Sequence, residues 1–389
     1  MKIKYPYSKP EILNKDIEEV TKVLRQGYLT QGRKIKEFEK EISKLFNSRY
    51  TIVCNSGTAA LHMIYKAIGL NEKNGLMTTP ITFLATANAA RMCNAPVEFC
   101  DVDPETGLIT AELLEVALKS SKYKIKAVSI VHLGGRLCEL EAISAVCKKY
   151  KCILIEDACH APGAQYISKN KKFFTTGSCR YSEASSFSFH AIKHITMGEG
   201  GCITTNNEKI FNYAKDMRNH FMIKEKKSNK KLALPWYYEI EKIGWNYRAD
   251  EISCALGLSQ LKRLNSNLKK RRLIAKYYFN NIYINNYVKL PNKTENQLSN
   301  AWHLFPLSID FVKLGKSREA VIKELKKFGI GTQVHYIPLF MQPYYKKIFK
   351  GKLKNALTYY NKTLSIPIYV QLKKLDLDYI INALNKVLS

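Results

Sequence analysis

The run Ser185-Ser186-Phe187-Ser188-Phe189-His190-Ala191-Ile192-Lys193-His194-Ile195-Thr196-Met197-Gly198-Glu199-Gly200-Gly201 decides how this chain is read. An apolar strand that runs into a glycine-bounded loop puts the amine of Lys193 at the carboxyl edge of a sheet, where a cofactor aldehyde could form a Schiff base with it. In a chain with 62 lysines and arginines, many lysines stand just beyond strands, so Lys193 alone does not settle the chemistry.

Working outward, short β-rich runs at 127–131, 152–156, 185–190 and 202–205 are separated by helix-length segments. Continuous apolar strands of this kind predict an α/β fold with a mainly parallel sheet covered on both faces, and such folds place their sites beyond the strand carboxyl ends. After Asn55-Ser56-Gly57-Thr58, apolar residues at Ala60, Met63, Ile64, Ala67 and Ile68 keep a helical spacing, with Ser56 placed to cap the helix. Past about residue 250 the pattern changes to basic amphipathic helices at 267–282, 317–328 and from Leu377 to Leu388, with few strands such as 304–309. We expect a large domain over 1–250, with an N-terminal arm, and a smaller α+β domain over 251–389.

The 389 residues can bury a substantial core without staples. Pro6 interrupts the start, and no apolar run has the length of a membrane span, so a cytoplasmic protein is expected. The ten cysteines have no Cys-x-x-Cys spacing and read as small core residues in a reducing compartment, neither a disulfide frame nor a metal site. A formal net charge of +29 raises the question of nucleic acid. The lysines are nevertheless spread along the chain among many Asn, Ile and Tyr, which reads as the drift of an AT-rich genome rather than as a binding face. The densest run, 224–231, reads as a solvated loop.

Four elements add to Lys193. Asp157 follows the strand 152–156, where a carboxylate could keep a pyridine nitrogen protonated so that the ring accepts electrons; alone it could equally cap a helix. Gly57-Thr58 opens a helix straight after a strand and aims backbone amides and a hydroxyl at one spot. Because the helix dipole supplies only about 0.3–1 kcal/mol, a phosphate there needs further donors, for which Thr58 and Ser188 are the choices. Phe83 stands in a turn where its face could cover a flat ring or simply join the core. Gly244-Trp245-Asn246-Tyr247-Arg248-Ala249-Asp250 sets an amide and a guanidinium ahead of a helix, suited to phosphate and equally to a surface helix start.

In this order the elements resemble the sugar-nucleotide aminotransferases of the DegT/StrS type, fold-type I pyridoxal-phosphate enzymes. The likeness runs over nearly the whole chain, through Tyr28-Leu29-Thr30-Gln31-Gly32, Asn55-Ser56-Gly57-Thr58, Glu156-Asp157-Ala158-Cys159-His160-Ala161, Phe187 to Lys193, Gly244 to Arg248 and Val334-His335-Tyr336-Ile337-Pro338. It implies that Lys193 carries pyridoxal 5'-phosphate, that Asp157 pairs with the pyridine nitrogen and that His160 lies near the ring hydroxyl. It also implies that Gly57, Thr58 and Ser188 hold the phosphate, with Asn246 reaching in from the second subunit of a homodimer, and that Tyr7, Thr30, Arg248 and His335 grip the sugar or diphosphate. Phe83, in the run 79–89, resembles members acting in pseudaminic acid synthesis, where phenylalanine fills the ring-stacking position that relatives give to tryptophan or tyrosine.

The substrates implied are L-glutamate and a UDP-linked 2-acetamido-2,6-dideoxy-hexos-4-ulose, turned over with ping-pong kinetics. The segments Val131-His132-Leu133-Gly134-Gly135-Arg136 and Asn219-His220-Phe221 depart from the family pattern and leave open a legionaminic acid, bacillosamine or perosamine type of sugar. A cofactor-dependent sugar dehydratase on the same scaffold would have histidine in place of Lys193. A basic regulatory protein would explain the charge but not the pairing of Lys193 with Asp157.

Overall fold

The strands form where β-branched and other apolar residues dominate, as in Ile125-Lys126-Ala127-Val128-Ser129-Ile130-Val131, whose last five residues are all buried. We analysed a computed structural model, which describes residues 3–224, 234–292 and 296–389; the lysine-rich stretch 225–231 lies outside them. In chain order the strands of the first half are β1 (Tyr50–Cys54), β2 (Gly75–Thr78), β3 (Val97–Phe99), β4 (Ile125–Val131), β5 (Ile153–Asp157), β6 (Gln165–Ile167), β7 (Phe173–Thr175), β8 (Ala184–Ser188) and β9 (Gly201–Thr205). The second half adds β10 (Met222–Ile223), β11 (Glu239–Ile240), β12 (Val288–Lys289), β13 (Phe305–Ile309) and β14 (Thr363–Ile366).

Seven of these make one sheet in the order β1-β9-β8-β5-β4-β2-β3. All its pairings are parallel except those of β9, which runs antiparallel to both β1 and β8. Two reversals cancel, so β1 points the same way as β8, β5, β4 and β2. Their carboxyl ends therefore meet at one edge, and the loop joining β8 to β9 hangs Lys193 over it. Apolar clusters cover both faces: Ile52, Leu61, Leu76, Ile155 and Ile203 on one, and Phe38, Phe46, Val53, Phe187 and Cys202 on the other.

The three-stranded antiparallel sheet β12-β13-β14 packs against the helices Leu264–Asn281, Arg318–Lys327 and Lys374–Val387 around a separate apolar cluster. The helix Glu251–Leu261, which follows residue 250, packs back on the N-terminal helices Asn14–Gln26 and Arg33–Phe46. Its Glu251 accepts from the backbone N–H groups of Lys34 and Ile35 at 2.8 and 3.2 Å, a carboxylate at a helix N-terminus. Among the described residues no helix is long and apolar enough to cross a membrane.

Candidate active site

The ends of β4, β5 and β8, the turns that follow β1 and β2, the loop after β8 and segments at Tyr7, His303 and 333–342 build a cavity of about 710 Å³, within the usual range for a small-ligand site. Lys193 and Asp157 both line it. The loop bearing Lys193 is pinned by its own backbone: Lys193 N–H donates to the His190 carbonyl at 2.9 Å, and Met197 N–H to that of Phe189 at 2.8 Å. Burial pulls the Lys193 amine below its ordinary 10.5, while Cys159 and Asp157 act the other way.

Asp157 is the last residue of β5 and 6% exposed. Its Oδ2 accepts from the Thr86 hydroxyl at 2.6 Å, which in turn takes a hydrogen from Thr82 at 2.9 Å. Oδ1 accepts from Cys159 N–H at 3.2 Å. No helix follows for Asp157 to cap. A carboxylate offers about four acceptor positions, so the one facing the cavity keeps capacity for a further donor.

Next to it, the helix Gly57–Ala67 begins at the cavity wall with Ser56 as its cap, the Ser56 side chain accepting from Ala59 N–H at 3.1 Å. Gly57 and Thr58 line the cavity together with Ser188. A Cβ on residue 57 would stand 3.0 Å from the Ser188 Cβ and 3.4 Å from the Cys159 Sγ, so glycine is what lets these elements close into a cradle. Phe83 also lines the cavity and is 58% exposed, so it is not a core residue. Its ring has an open face, with Tyr336 6.3 Å away.

His160 is buried and its imidazole is held neutral, with burial the main cause and Lys193 the second. Gly134 N–H donates to its Nδ1 at 3.3 Å, which places the ring hydrogen on Nε2, 3.4 Å from the Tyr336 hydroxyl. Opposite, His335 and Tyr7 form a tilted pair 5.3 Å apart. Burial brings His335 down to about 3, and its Nδ1 pairs with the Ser365 hydroxyl at 2.9 Å.

A model of the DegT/DnrJ/EryC1/StrS aminotransferase family matches residues 10–385. The chain belongs to this family. Over 384 residues it is 37% identical to the UDP-4-amino-4,6-dideoxy-N-acetyl-beta-L-altrosamine transaminase of Campylobacter jejuni, covering 98% of this chain and 97% of that one. Among solved structures it is similar to Helicobacter pylori PseC, an aminotransferase involved in the biosynthesis of pseudoaminic acid, with a TM-score of 0.89, 30% identity and 99% of each chain covered. It is also similar to the putative sugar aminotransferase Spr1654 of Streptococcus pneumoniae, whose PLP form aligns with a TM-score of 0.87 and 25% identity over 98% of each chain.

Not every residue picked from the resemblance to this aminotransferase family lines this cavity. Thr30, Asn246 and Arg248 lie outside it. They group elsewhere: Thr30 bridges to Asp250, Asn246 bridges to Asn219, and Arg248 Nη1 donates to Asn219 Oδ1 at 2.6 Å. The departing segment Asn219-His220-Phe221 thus shapes that second group. His220 and Phe221 take positive φ, and Gly244 crosses them so closely that a Cβ would sit 2.7 Å from His220 Cα. Asp250 does cap the helix Glu251–Leu261, accepting from Ser253 N–H at 2.7 Å.

Conversely, the cavity includes Tyr336, His303, Cys159, Glu199 and Gln342, none of them singled out from sequence. Tyr336 adjoins His335, and Cys159 stands between two chosen residues, so a signal existed for both. Glu199 lies in the same loop as Lys193, whereas His303 and Gln342 arrive only through the tertiary fold. Thr86, which holds Asp157, carries no sequence signal of its own.

Proposed function

We propose that this aminotransferase uses pyridoxal 5'-phosphate to move the amino group of L-glutamate to C4 of UDP-2-acetamido-2,6-dideoxy-beta-L-arabino-hexos-4-ulose, giving UDP-4-amino-4,6-dideoxy-N-acetyl-beta-L-altrosamine. The observation that carries the reading is the meeting of a half-buried lysine and a cavity-facing carboxylate, thirty-six positions apart, in one cavity that also holds a glycine cradle and an open aromatic face. The sugar is supported by the name of the Campylobacter relative, which is similar over nearly the full length of both chains.

The residues present fit the cofactor. Gly57, Thr58 and Ser188 would hold its phosphate, Phe83 would cover its ring, Asp157 would take the pyridine N–H in its spare acceptor position, and His160 would lie at the ring-hydroxyl side. Once bound, it supplies an electron sink for the bond broken next to nitrogen. Lys193, whose amine burial biases toward the neutral form, takes the proton from glutamate Cα at Nζ and in the second half-reaction delivers one to C4 of the sugar. Glutamate leaves as 2-oxoglutarate, so the nitrogen balance closes. Tyr7 and His335 line the cavity together with Lys193, and we assign them to the sugar nucleotide. They come from the N-terminal and C-terminal parts of the chain.

We assign Thr30, Asn246 and Arg248 to the neighbouring site of a homodimer, because they do not line their own cavity and Thr30 stands beside the exposed Tyr28 and Leu29. All ten cysteines are free, which suits work in the reducing cytoplasm. The deciding experiment incubates the protein with L-glutamate and a panel of nucleotide-linked 4-keto sugars and identifies the amine by mass spectrometry and NMR. The altrosamine product is expected. Conversion of another keto-sugar would replace the substrate, and conversion of simple keto acids alone would remove the sugar from the reading.

A further inference from the structure

His160 is poorly held by its hydrogen bonds. At 3.3 Å to Gly134 N and 3.4 Å to the Tyr336 hydroxyl, both exceed the usual lengths and fix a ring only loosely. Stacking holds it better. The ring of His303 lies 4.3 Å from that of His160 with 26° between the planes, and that of Tyr336 lies 6.3 Å away at 22°. His303 is 1% exposed and its Nδ1 is buried without a hydrogen-bond partner. Leaving a buried nitrogen unpaired costs free energy, so a protein hydrogen bond is not what keeps an imidazole there. What the ring offers is a flat face.

That face is braced from behind. Trp302 takes a positive φ of 51°, and Gly135 passes so close that a Cβ would stand 2.9 Å from Trp302 N and 3.0 Å from His303 N. The Trp302 carbonyl accepts from Arg271 Nη1 at 2.9 Å, and the same nitrogen donates to the Ile368 carbonyl at 3.0 Å. Arg271 is 3% exposed. On the far side of His303 lies His194, ring centroids 5.3 Å apart, its own Nε2–H donated to the Ala301 carbonyl at 2.9 Å. Backbone strain, a buried guanidinium and a neighbouring ring thus converge on the placement of one imidazole.

We propose that His303, braced through Trp302 by Arg271, is the positioning residue that sets the plane of His160 in the cavity. The inference rests on the reading that the cavity receives pyridoxal phosphate beside His160, and it adds a residue for which no role has been argued above.

The test compares His303→Phe, which keeps a flat ring, with His303→Leu, which keeps apolar volume only, and His303→Asn, which keeps a polar group without a ring. Histidine labelled with ¹⁵N reports on His160 in the cofactor-free protein, where only eight histidines contribute. Wild type and His303→Phe should show one sharp Nε2–H form for His160, and the Leu and Asn variants a broadened average. In the glutamate half-reaction of the holoenzyme, His303→Phe should stay within about twofold of wild type. His303→Leu should lose about tenfold in kcat with KM within about twofold. In a His160→Phe background, His303→Leu should add less than about twofold, since residues acting as a unit are not additive. The proposal is overturned if His303→Phe falls as far as His303→Leu, if His303→Leu keeps the wild-type rate and His160 spectrum, or if the two penalties multiply. Should His303→Leu not fold, His303→Asn decides by the same criteria. A wild-type protein inert toward glutamate would instead count against the functional reading, while the His160 spectra would still judge the positioning role.

Discussion

Two carboxylates stand side by side at the end of β5 and meet opposite fates. Glu156 points away from the cavity into a closed polar network. Its Oε2 accepts from His132 Nε2 at 3.0 Å, and Oε1 accepts from the Ser182 hydroxyl and from the Ser185 hydroxyl at 3.1 Å. The His132 tautomer follows from Cys138 N–H, which donates to Nδ1 at 3.1 Å and leaves the hydrogen on Nε2. Asp157, one residue on and facing the other way, has one protein donor on each oxygen and a cavity in front of it. A buried acid whose acceptors are filled by the protein supports the fold. One with a position left over is available to a ligand.

Four experiments can break or sharpen that contrast. The largest effect is expected at the amine opposite Asp157: Lys193→Ala should cut amino transfer by about a thousand- to ten-thousandfold, measured as product formed from glutamate and the keto-sugar. If it kept normal turnover, the cavity would lose its catalyst.

The next pair separates the two acids. Asp157→Asn should lower kcat by about a hundred- to a thousandfold while the melting temperature stays close to wild type, because the shape is kept, the remaining oxygen still accepts from Cys159 N–H, and the Thr86 hydroxyl can turn to accept from the new amide. Glu156→Ala should do the reverse, leaving two hydroxyls and an imidazole N–H unpaired and costing roughly 3 kcal/mol or more in urea unfolding. Equal loss of activity from both changes, at unchanged stability, would erase the distinction.

Smaller still, Gly57→Ala pushes a methyl group against Ser188 and should weaken pyridoxal phosphate binding by about tenfold, or ~1.4 kcal/mol, read from fluorescence titration of the cofactor-free protein. An unaltered affinity would move the phosphate away from this cradle.

The smallest effect concerns pH. Burial lowers the folded-state pKa of Lys193 below the 10.5 of an exposed lysine, so the folded chain binds this proton less readily than the unfolded one. The penalty is full at pH below the lowered value, and fades as pH rises from there to 10.5, above which the group is neutral in both states. Lys193→Met should therefore raise the stability of the cofactor-free protein at pH 7, with the gain shrinking toward pH 10.5. A gain that grew with pH would contradict the burial.

Much of this was legible in advance because the signals are local. Short β-rich runs mark β4, β5, β8 and β9 to within a residue or two, and the spacing after Ser56 marks the helix that Ser56 caps. Lys193 and Asp157 stand at strand ends, which a sequence can show once the strands are seen. The aromatic turn at Phe83 stayed ambiguous between core and cofactor until its exposure was known. Illegible were the partners that come from far along the chain: Thr86 beneath Asp157 and His303 against His160, joined across separations of 71 and 143 positions.

The amino-acid sequence by itself determined the class of fold and, through the resemblance of its motifs, the family, and it singled out Lys193 and Asp157, since periodicity and residue type at strand ends act over a few positions. Only the tertiary structure decided that Glu156 is closed while Asp157 is open, that Thr30, Asn246 and Arg248 gather outside this cavity, and that His160 leans on His303. Alternation along a strand says that neighbours face opposite ways, but not what waits on each side. That depends on which distant segments the sheet brings to its edge.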